Sequence, residues 1–263
     1  MIHNVIRVSV VMAAYNEEST IKRAIYSIIA QSYDNWELII IDDASTDKTS
    51  FIVKQAMLSD NRIKMYSNAK NIGLAASLNK GIKQASGDLI ARMDADDYSL
   101  PDRLKTQVEF IDKNPEVSVL GGGAIYIDVK GNELETIMMP ESHNEIVKFL
   151  LKSSPFIHPT IMMQKNFWIE MQGYTESLRR AQDYDLWFRG RFSGQYFNLH
   201  QPLLKYTKND RRTFRSLYDG LKVRFRNSNG ISENFVSLFW FFVGMVNGLT
   251  TINIGNSKSK FSI

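Results

Sequence analysis

The chain contains no cysteine among its 263 residues, so no disulfide can form and nothing points to an oxidising compartment. It also lacks a long apolar run: the most extended, Phe235 to Leu249, falls short of the ~20 residues that a membrane-spanning helix needs. A signal peptide is missing by the same reading. The apolar stretch Val8 to Ala14 is short, has no cleavage site of small residues and runs straight into Tyr15-Asn16-Glu17, so the expected location is the cytoplasm. There are no internal repeats and no low-complexity linkers. No Gly-x-Gly-x-x-Gly follows a strand-like segment, and Gly121-Gly122-Gly123 reads as a close backbone approach in a core strand rather than a phosphate loop. What remains is long enough to bury a full core in one domain, or in one domain plus an appendage.

What is present is a regular alternation. The segments Val8 to Met12, Glu37 to Ile41 and Ile63 to Ser67 are short, apolar and β-branched. Between them Ile21, Ala24, Ile25, Ile28 and Ile29 recur at helical spacing behind a Ser19/Thr20 cap, and Leu74, Leu78 and Ile82 do so after Gly73. Strands alternating with helices predict a parallel sheet covered on both faces, with ligands at the carboxyl ends of the strands. Polar residues collect at those ends: Ala13-Ala14-Tyr15-Asn16-Glu17, then Asp42-Asp43-Ala44-Ser45-Thr46-Asp47, then Asp94-Ala95-Asp96-Asp97 after the apolar run from Leu89 to Met93. Carboxylates this close repel one another unless a cation sits between them. Hard oxygen ligands suit Mg²⁺ or Mn²⁺, which take one or two carboxylates together with substrate phosphates. A solvated turn or a helix start is the competing reading of Asp-x-Asp at a strand end.

These segments, with Asn71-Ile-Gly-Leu74, Pro101-Asp-Arg-Leu104, His158-Pro-Thr160, Gly173-Tyr174 and Gln182-Asp-Tyr-Asp-Leu-Trp187, resemble the inverting glycosyltransferases of family 2, of the bacterial surface-polysaccharide type, over roughly the first 200 residues. The resemblance implies the GT-A fold, an α/β class with a Rossmann-like, mostly parallel central sheet flanked by helices. It divides the chain into a catalytic domain over 1–206, with a nucleotide-sugar half (1–97) and an acceptor half (98–206), and a basic and apolar helical tail over 207–263. It further implies a hexosyl- or N-acetylhexosaminyltransferase that uses Mn²⁺ or Mg²⁺, a nucleotide-sugar donor, UDP-linked, and a glycan acceptor, lipid-linked.

Carried over residue by residue, the resemblance has Tyr15 stacking on the base, Asp43 accepting from a ring N–H, and Glu17, Ala13 and Ala95 alongside. Asp94 faces the ribose, Asp96 binds the metal that bridges the phosphates, and Asp183 is the base that deprotonates the acceptor hydroxyl. Where the family commonly has Glu before that Asp, this chain has Gln182, which hydrogen-bonds but adds no second charge. Plainer roles compete: Tyr15 packed on a helix, Asp47 capping a helix, Asp185 an exposed first-turn acid. Arg92 either touches a phosphate or pairs with a neighbouring acid, the latter favoured. His158, in a segment that Pro159 extends, is a second-rank acceptor-side candidate with a structural role as its rival.

From Lys205 to Arg226 the chain carries Lys205, Lys208, Arg211, Arg212, Arg215, Lys222, Arg224 and Arg226 against Asp210 and Asp219. The charge-free run Phe235 to Leu249 follows at once. A basic stretch beside an aromatic-rich apolar helix suits an anionic membrane surface, here the inner face of the cell membrane. The rival is docking on the catalytic domain or on another subunit, which makes a homo-oligomer. Nucleic acid is discounted because of the bulky apolar neighbour. Two other functions fit less well: a sugar nucleotidyltransferase wants a Gly-rich loop where Ala13-Ala14-Tyr15 stands, and a non-catalytic nucleotide-sugar or glycan-binding protein has no use for a base such as Asp183.

Overall fold

The computed structural model describes residues 7–128, 130–207 and 214–257. Its first half is the predicted alternation: β1 (Val8–Ala14), α1 (Ile21–Ile29), β2 (Trp36–Asp42), α2 (Thr49–Ser59), β3 (Ile63–Ser67), α3 (Leu74–Gln84) and β4 (Leu89–Asp94). The side chains of β1 alternate between two layers, as a strand's period of two requires. Val8, Val10 and Met12 pack against Ile21, Ile25 and Ile28 of α1 and Val53 of α2, whereas Val11 packs with Leu78 and Ile82 of α3. α1 starts where expected, but Thr20 does not cap it with its side chain. The Thr20 hydroxyl donates instead to Glu17 Oε2 at 2.8 Å.

The second half comprises β5 (Tyr98–Ser99), α4 (Arg103–Lys113), β6 (Val117–Ile127), β7 (Glu133–Ile137), α5 (His143–Leu150), a 3₁₀ turn (His158–Thr160), β8 (Met162–Gln164), α6 (Lys165–Glu170), α7 (Gln182–Arg189) and β9 (Gln195–Thr207). One sheet joins both halves in the order β3-β2-β1-β4-β8-β6-β9-β5, with β7 on β6. It is parallel from β3 to β4 and mixed beyond, where β8 runs antiparallel to both β4 and β6. The glycine run lies inside β6. A Cβ on Gly122 would come within 2.6 Å of Leu203 Cδ1, so the close approach is to β9.

The tail forms α8 (Phe214–Asn227) and α9 (Ile231–Ser257), packed on each other. One face of α8 docks on the catalytic unit. Arg224, buried rather than solvated, donates to the Lys152 carbonyl at 3.0 Å, and Asn227 donates to Asp185 Oδ1 at 3.1 Å. Lys205 pairs with Glu133 at 2.8 Å. On α9 a stripe of Ile231, Phe235, Phe239 and Phe242 stays exposed. No described helix is long and apolar enough to cross a membrane. Of the basic stretch, Lys208, Asp210, Arg211 and Arg212 lie outside the described residues, as do the side chains of Arg215 and of the apolar run from Val246 on.

Candidate active site

The register of the parallel strands sets Ala14 beside Asp42 and Ala13 beside Asp94, so the loops after β1, β2 and β4 open along one edge. The first two loops are laced together. Asn16, in the left-handed region at φ 57°, donates its N–H to Ser45 Oγ at 3.0 Å and accepts from the Thr46 N–H at 2.9 Å. Asp47 accepts from the N–H groups of Thr49 and Glu18 at 2.9 and 3.0 Å, so it secures the start of α2 and the neighbouring loop, as a capping residue would. Tyr15 is 47% exposed on the rim rather than packed beneath a helix. Asp43 is buried and faces the loop before α3: Oδ1 accepts from Asn68 Nδ2 at 2.8 Å and the Ile72 N–H at 2.9 Å, and Oδ2 from the Gly73 N–H at 2.8 Å. Gly73 has φ 90°, a conformation that suits glycine. Three of the roughly four acceptor positions of the Asp43 carboxylate are thereby used.

At the end of β4, carboxylate oxygens of Asp94, Asp96 and Asp97 lie within 4.8 Å of one another. Arg92 is buried and grips Asp94 in a two-pronged ion pair, Nη1 to Oδ2 at 2.7 Å and Nη2 to Oδ1. The guanidinium therefore serves a neighbouring acid, the favoured of its two expected roles. Asp96 is pushed up to about 6 by burial and then by the charges of Asp94 and Glu17, which brings Glu17 into the cluster. Asp97 is fully buried: Oδ1 accepts the Thr207 N–H at 3.0 Å, whereas Oδ2 accepts no hydrogen bond from any described residue. Burial, with the charges of Asp94 and Asp96, raises it well above the usual carboxylate range. A buried carboxylate oxygen without a donor, amid like charges, is what a hard divalent cation satisfies. The donor set fits Mg²⁺ or Mn²⁺. Ala95 is buried in the core and offers only its main chain here, while Ala13 is half-buried at the strand edge.

The acceptor side comes from the second half. Asp183 stands in the first turn of α7, after Ala181 at φ 56°, and its carboxylate accepts from the Tyr184 N–H. Burial raises its proton affinity above that of an ordinary aspartate, and the Arg92 and Asp94 charges both reach it. His158 opens the 3₁₀ turn, so the segment is not extended as Pro159 suggested. The turn is closed by Thr160 Oγ1 donating to the Ile157 carbonyl at 2.7 Å. His158 Nε2 lies 3.0 Å from the Tyr174 hydroxyl, and the ring meets Tyr174 and Trp187 edge-on. Burial and then Arg92 hold His158 well below its usual pKa, so it is neutral. Tyr174 is itself within the field of Arg92, Asp183 and Asp94 and links His158 to the charged cluster.

Asp185 departs from expectation. It is fully buried, not exposed, because Thr175, Arg189 and Asn227 enclose it: Oδ2 accepts from Thr175 Oγ1 at 2.7 Å and Arg189 Nε at 2.9 Å. It is a structural tie between α7 and α8. β9 also runs through Thr207, one residue past the expected boundary at 206, and that residue reaches the acid cluster. Thr207, Arg23, Tyr174 and Asp97 join the site in the structure beyond the residues expected from the sequence. Asp97 carries a local signal in its adjacency to Asp94 and Asp96, and Tyr174 one in the Gly173-Tyr174 motif; Thr207 and Arg23 carry none.

The family model described as Glycosyl transferase family 2 matches residues 9–178. The glycosyltransferase EpsE of Bacillus subtilis is 44% identical over 76% of this chain and 72% of its own. The O-antigen biosynthesis glycosyltransferase WbnJ of Escherichia coli is 34% identical over 69% of this chain and 70% of its own. Among solved structures, S. aureus TarS 1-349 in complex with UDP-GlcNAc superposes with TM-score 0.66 at 20% identity, over 87% of this chain and 69% of that one. The mannosyltransferase PcManGT from Pyrobaculum calidifontis, in complex with GDP-Man and Mn²⁺, does so with TM-score 0.66 at 15% identity, over 98% and 81%. At these identities the two structures speak for the fold, which is GT-A. By fold and sequence together, the chain belongs to glycosyl transferase family 2 and is a glycosyltransferase.

Proposed function

We propose that this glycosyltransferase moves one sugar from a UDP-linked donor to a hydroxyl of a glycan acceptor, a lipid-linked surface-polysaccharide precursor, with inversion and with Mn²⁺ or Mg²⁺. The observation that carries the reading is the trio Asp94, Asp96 and Asp97, three oxygens within 4.8 Å where the loops after β1 and β2 converge. Asp96, with Asp94 and Asp97 beside it, holds the metal, which supplies positive charge against the leaving diphosphate. Tyr15 presents an open ring face to the base, and Asp43 uses its remaining acceptor position for a base N–H. Glu17 stands beside Asp96, the main chain around Ala13 and Ala95 lines the donor shelf, and Arg92 keeps Asp94 turned toward the ribose. On the other side Asp183 takes the proton of the acceptor hydroxyl as that oxygen bonds to the anomeric carbon and the bond to the diphosphate breaks. The products are the inverted glycoside and UDP. Its raised proton affinity suits a group that must gain a proton during transfer. Neutral His158 and Tyr174 form the wall beside the base, and the domain division follows these two halves.

The acceptor class draws support from the O-antigen biosynthesis relative, and UDP from the TarS complex. The exposed aromatic stripe of α9, together with the exposed Lys222 and Arg226 of α8, supports peripheral attachment to an anionic membrane face. A thermal-shift screen of nucleoside diphosphates and nucleotide sugars, with and without Mn²⁺, tests the donor. A shift that needs both UDP and metal, followed by slow UDP-sugar hydrolysis, is expected; a shift with another nucleotide alone replaces UDP, and no hydrolysis with metal contradicts the catalytic assignment.

A further inference from the structure

The turn that carries Asp96 places three carboxylates within 4.8 Å of one another, and the guanidinium of Arg92 is committed to Asp94. Such a turn has a physical reason to open. Its own closing bond is long, from the Asp97 N–H to the Asp94 carbonyl at 3.4 Å. What holds it comes from far away in the chain. The Asp96 carbonyl accepts from Arg23 Nη2 of α1 at 2.5 Å and from the Thr207 hydroxyl of β9 at 2.6 Å. Arg23 Nη2 also reaches Thr207 Oγ1 at 3.3 Å, and the Thr207 N–H donates to Asp97 Oδ1 at 3.0 Å. The peptide plane between Asp96 and Asp97 is therefore gripped at both ends: its carbonyl by Arg23 and Thr207, its N–H by Asp94. A fixed peptide plane fixes the direction in which the Asp96 side chain leaves the backbone.

We propose that Thr207 and Arg23 are positioning residues for the metal: they lock the main chain of Asp96 so that its carboxylate meets those of Asp94 and Asp97 in a ready-made donor set. The inference rests on the reading of Asp96 as a metal ligand. Neither residue need touch the ion. Their task is the one that outer hydrogen-bond partners of metal ligands perform, whose loss costs about 10–100-fold in metal affinity. It also gives a chemical reason for the last residue of β9, at the root of the tail, to carry a hydroxyl: the side chain donates to the Asp96 carbonyl while the backbone N–H serves Asp97.

The test uses the full-length chain. Thr207→Val keeps the volume and the backbone N–H to Asp97 but removes the hydroxyl, Thr207→Ser restores it, and Arg23→Gln removes the second grip from a half-buried helix position. UDP affinity is measured by calorimetry with Mn²⁺ and with EDTA, beside the melting temperature of each variant. The expected result is that Thr207→Val and Arg23→Gln weaken only the Mn²⁺-dependent part of UDP affinity, by about ten-fold or more. Affinity in EDTA should hold, and Thr207→Ser should recover most of the loss. If wild type shows metal-dependent UDP binding and both variants keep it while only their melting temperatures fall, the residues are structural staples and the proposal is overturned. If Thr207→Val fails to fold, Arg23→Gln carries the same decision. Absence of any metal-dependent UDP binding in wild type overturns the metal reading of Asp96, and this inference with it.

Discussion

Glu37 and Asp96 stand at opposite ends of the same group of parallel strands, and the chain surrounds their carboxylates in opposite ways. At the start of β2, Glu37 is fully buried, yet it accepts from Ser9 Oγ at 2.8 Å, from the N–H and hydroxyl of Ser86, and from Lys64 Nζ at 2.8 Å, with Arg7 at 3.6 Å. Burial works against the charge, but the hydrogen bonds of Lys64, Ser86 and Ser9 outweigh it and lower the pKa to about 2. Past the end of β4, burial and like charges push Asp96 up to about 6, and Asp97 keeps an oxygen without a described donor. One end is satisfied and ties β1, β2, β3 and the turn before β4 together. The other gathers three carboxylates within 4.8 Å of one another. A fold that can complete the first cluster has the means to complete the second, so the orphaned oxygen of Asp97 amid like charges supports the proposal that this end binds the metal.

The sharpest ways to probe that contrast lie on the active edge. Asp183→Asn should lower transfer by about 10²-fold or more, the loss typical of removing a general base, while UDP affinity stays near wild type. Turnover and calorimetry on one preparation check it, and joint loss in a folded variant would assign Asp183 to the donor side. Next in size is the response to acid. Glu37 has a lowered pKa, so the stability it contributes is present above its ordinary 4.5 and is lost as pH falls toward about 2. For Asp96, raised from 3.8 to about 6, the sign is reversed: in metal-free protein its contribution is present below 3.8 and is lost as pH rises through about 6. Melting curves in EDTA should therefore show Asp96→Asn gaining on wild type between pH 4 and 7, with the gap closing when Mn²⁺ and UDP are added; a constant gap would mean that Asp96 is already neutralised by the protein. The smallest effect belongs to the tail. Phe235→Ser with Phe239→Ser should weaken binding to anionic vesicles several-fold at every salt concentration, whereas the basic contribution, ~1 kcal/mol per residue near the surface, fades with salt. Should the full chain ignore vesicles and the substitutions instead dissociate a dimer, the stripe is a subunit interface.

Local pattern carried the parallel half of the sheet and the polar strand ends, because side-chain periodicity and strand-to-helix alternation act over a few residues. It carried Asp94 and Asp96 for the same reason. Thr207 escaped because its partners Asp96 and Asp97 are 111 and 110 residues away, and nothing in its neighbourhood signals that β9 ends there. Asp185 misled because a first-turn acid is ordinarily solvated; here α8, a piece of the tail, supplies Asn227 and closes it in. Thr20 caps nothing with its side chain, which turns back and donates to Glu17, a partner outside the helix that the local pattern does not signal. Gly122, by contrast, was legible, since three glycines inside an apolar strand have few reasons to exist apart from a close neighbour.

If the two carboxylate clusters divide stability and binding between them, paired substitutions separate the two roles. Asp96→Asn and Glu37→Gln, in full-length protein at pH 7, are each taken through chemical denaturation in EDTA and UDP calorimetry with Mn²⁺. Asp96→Asn should lose the metal-dependent UDP affinity at unchanged or higher stability. Glu37→Gln should lose about 1–3 kcal/mol of stability, the usual toll of leaving buried partners unmatched, and bind UDP as wild type does. Asp96→Asn that binds UDP and Mn²⁺ normally but unfolds more easily would contradict that division.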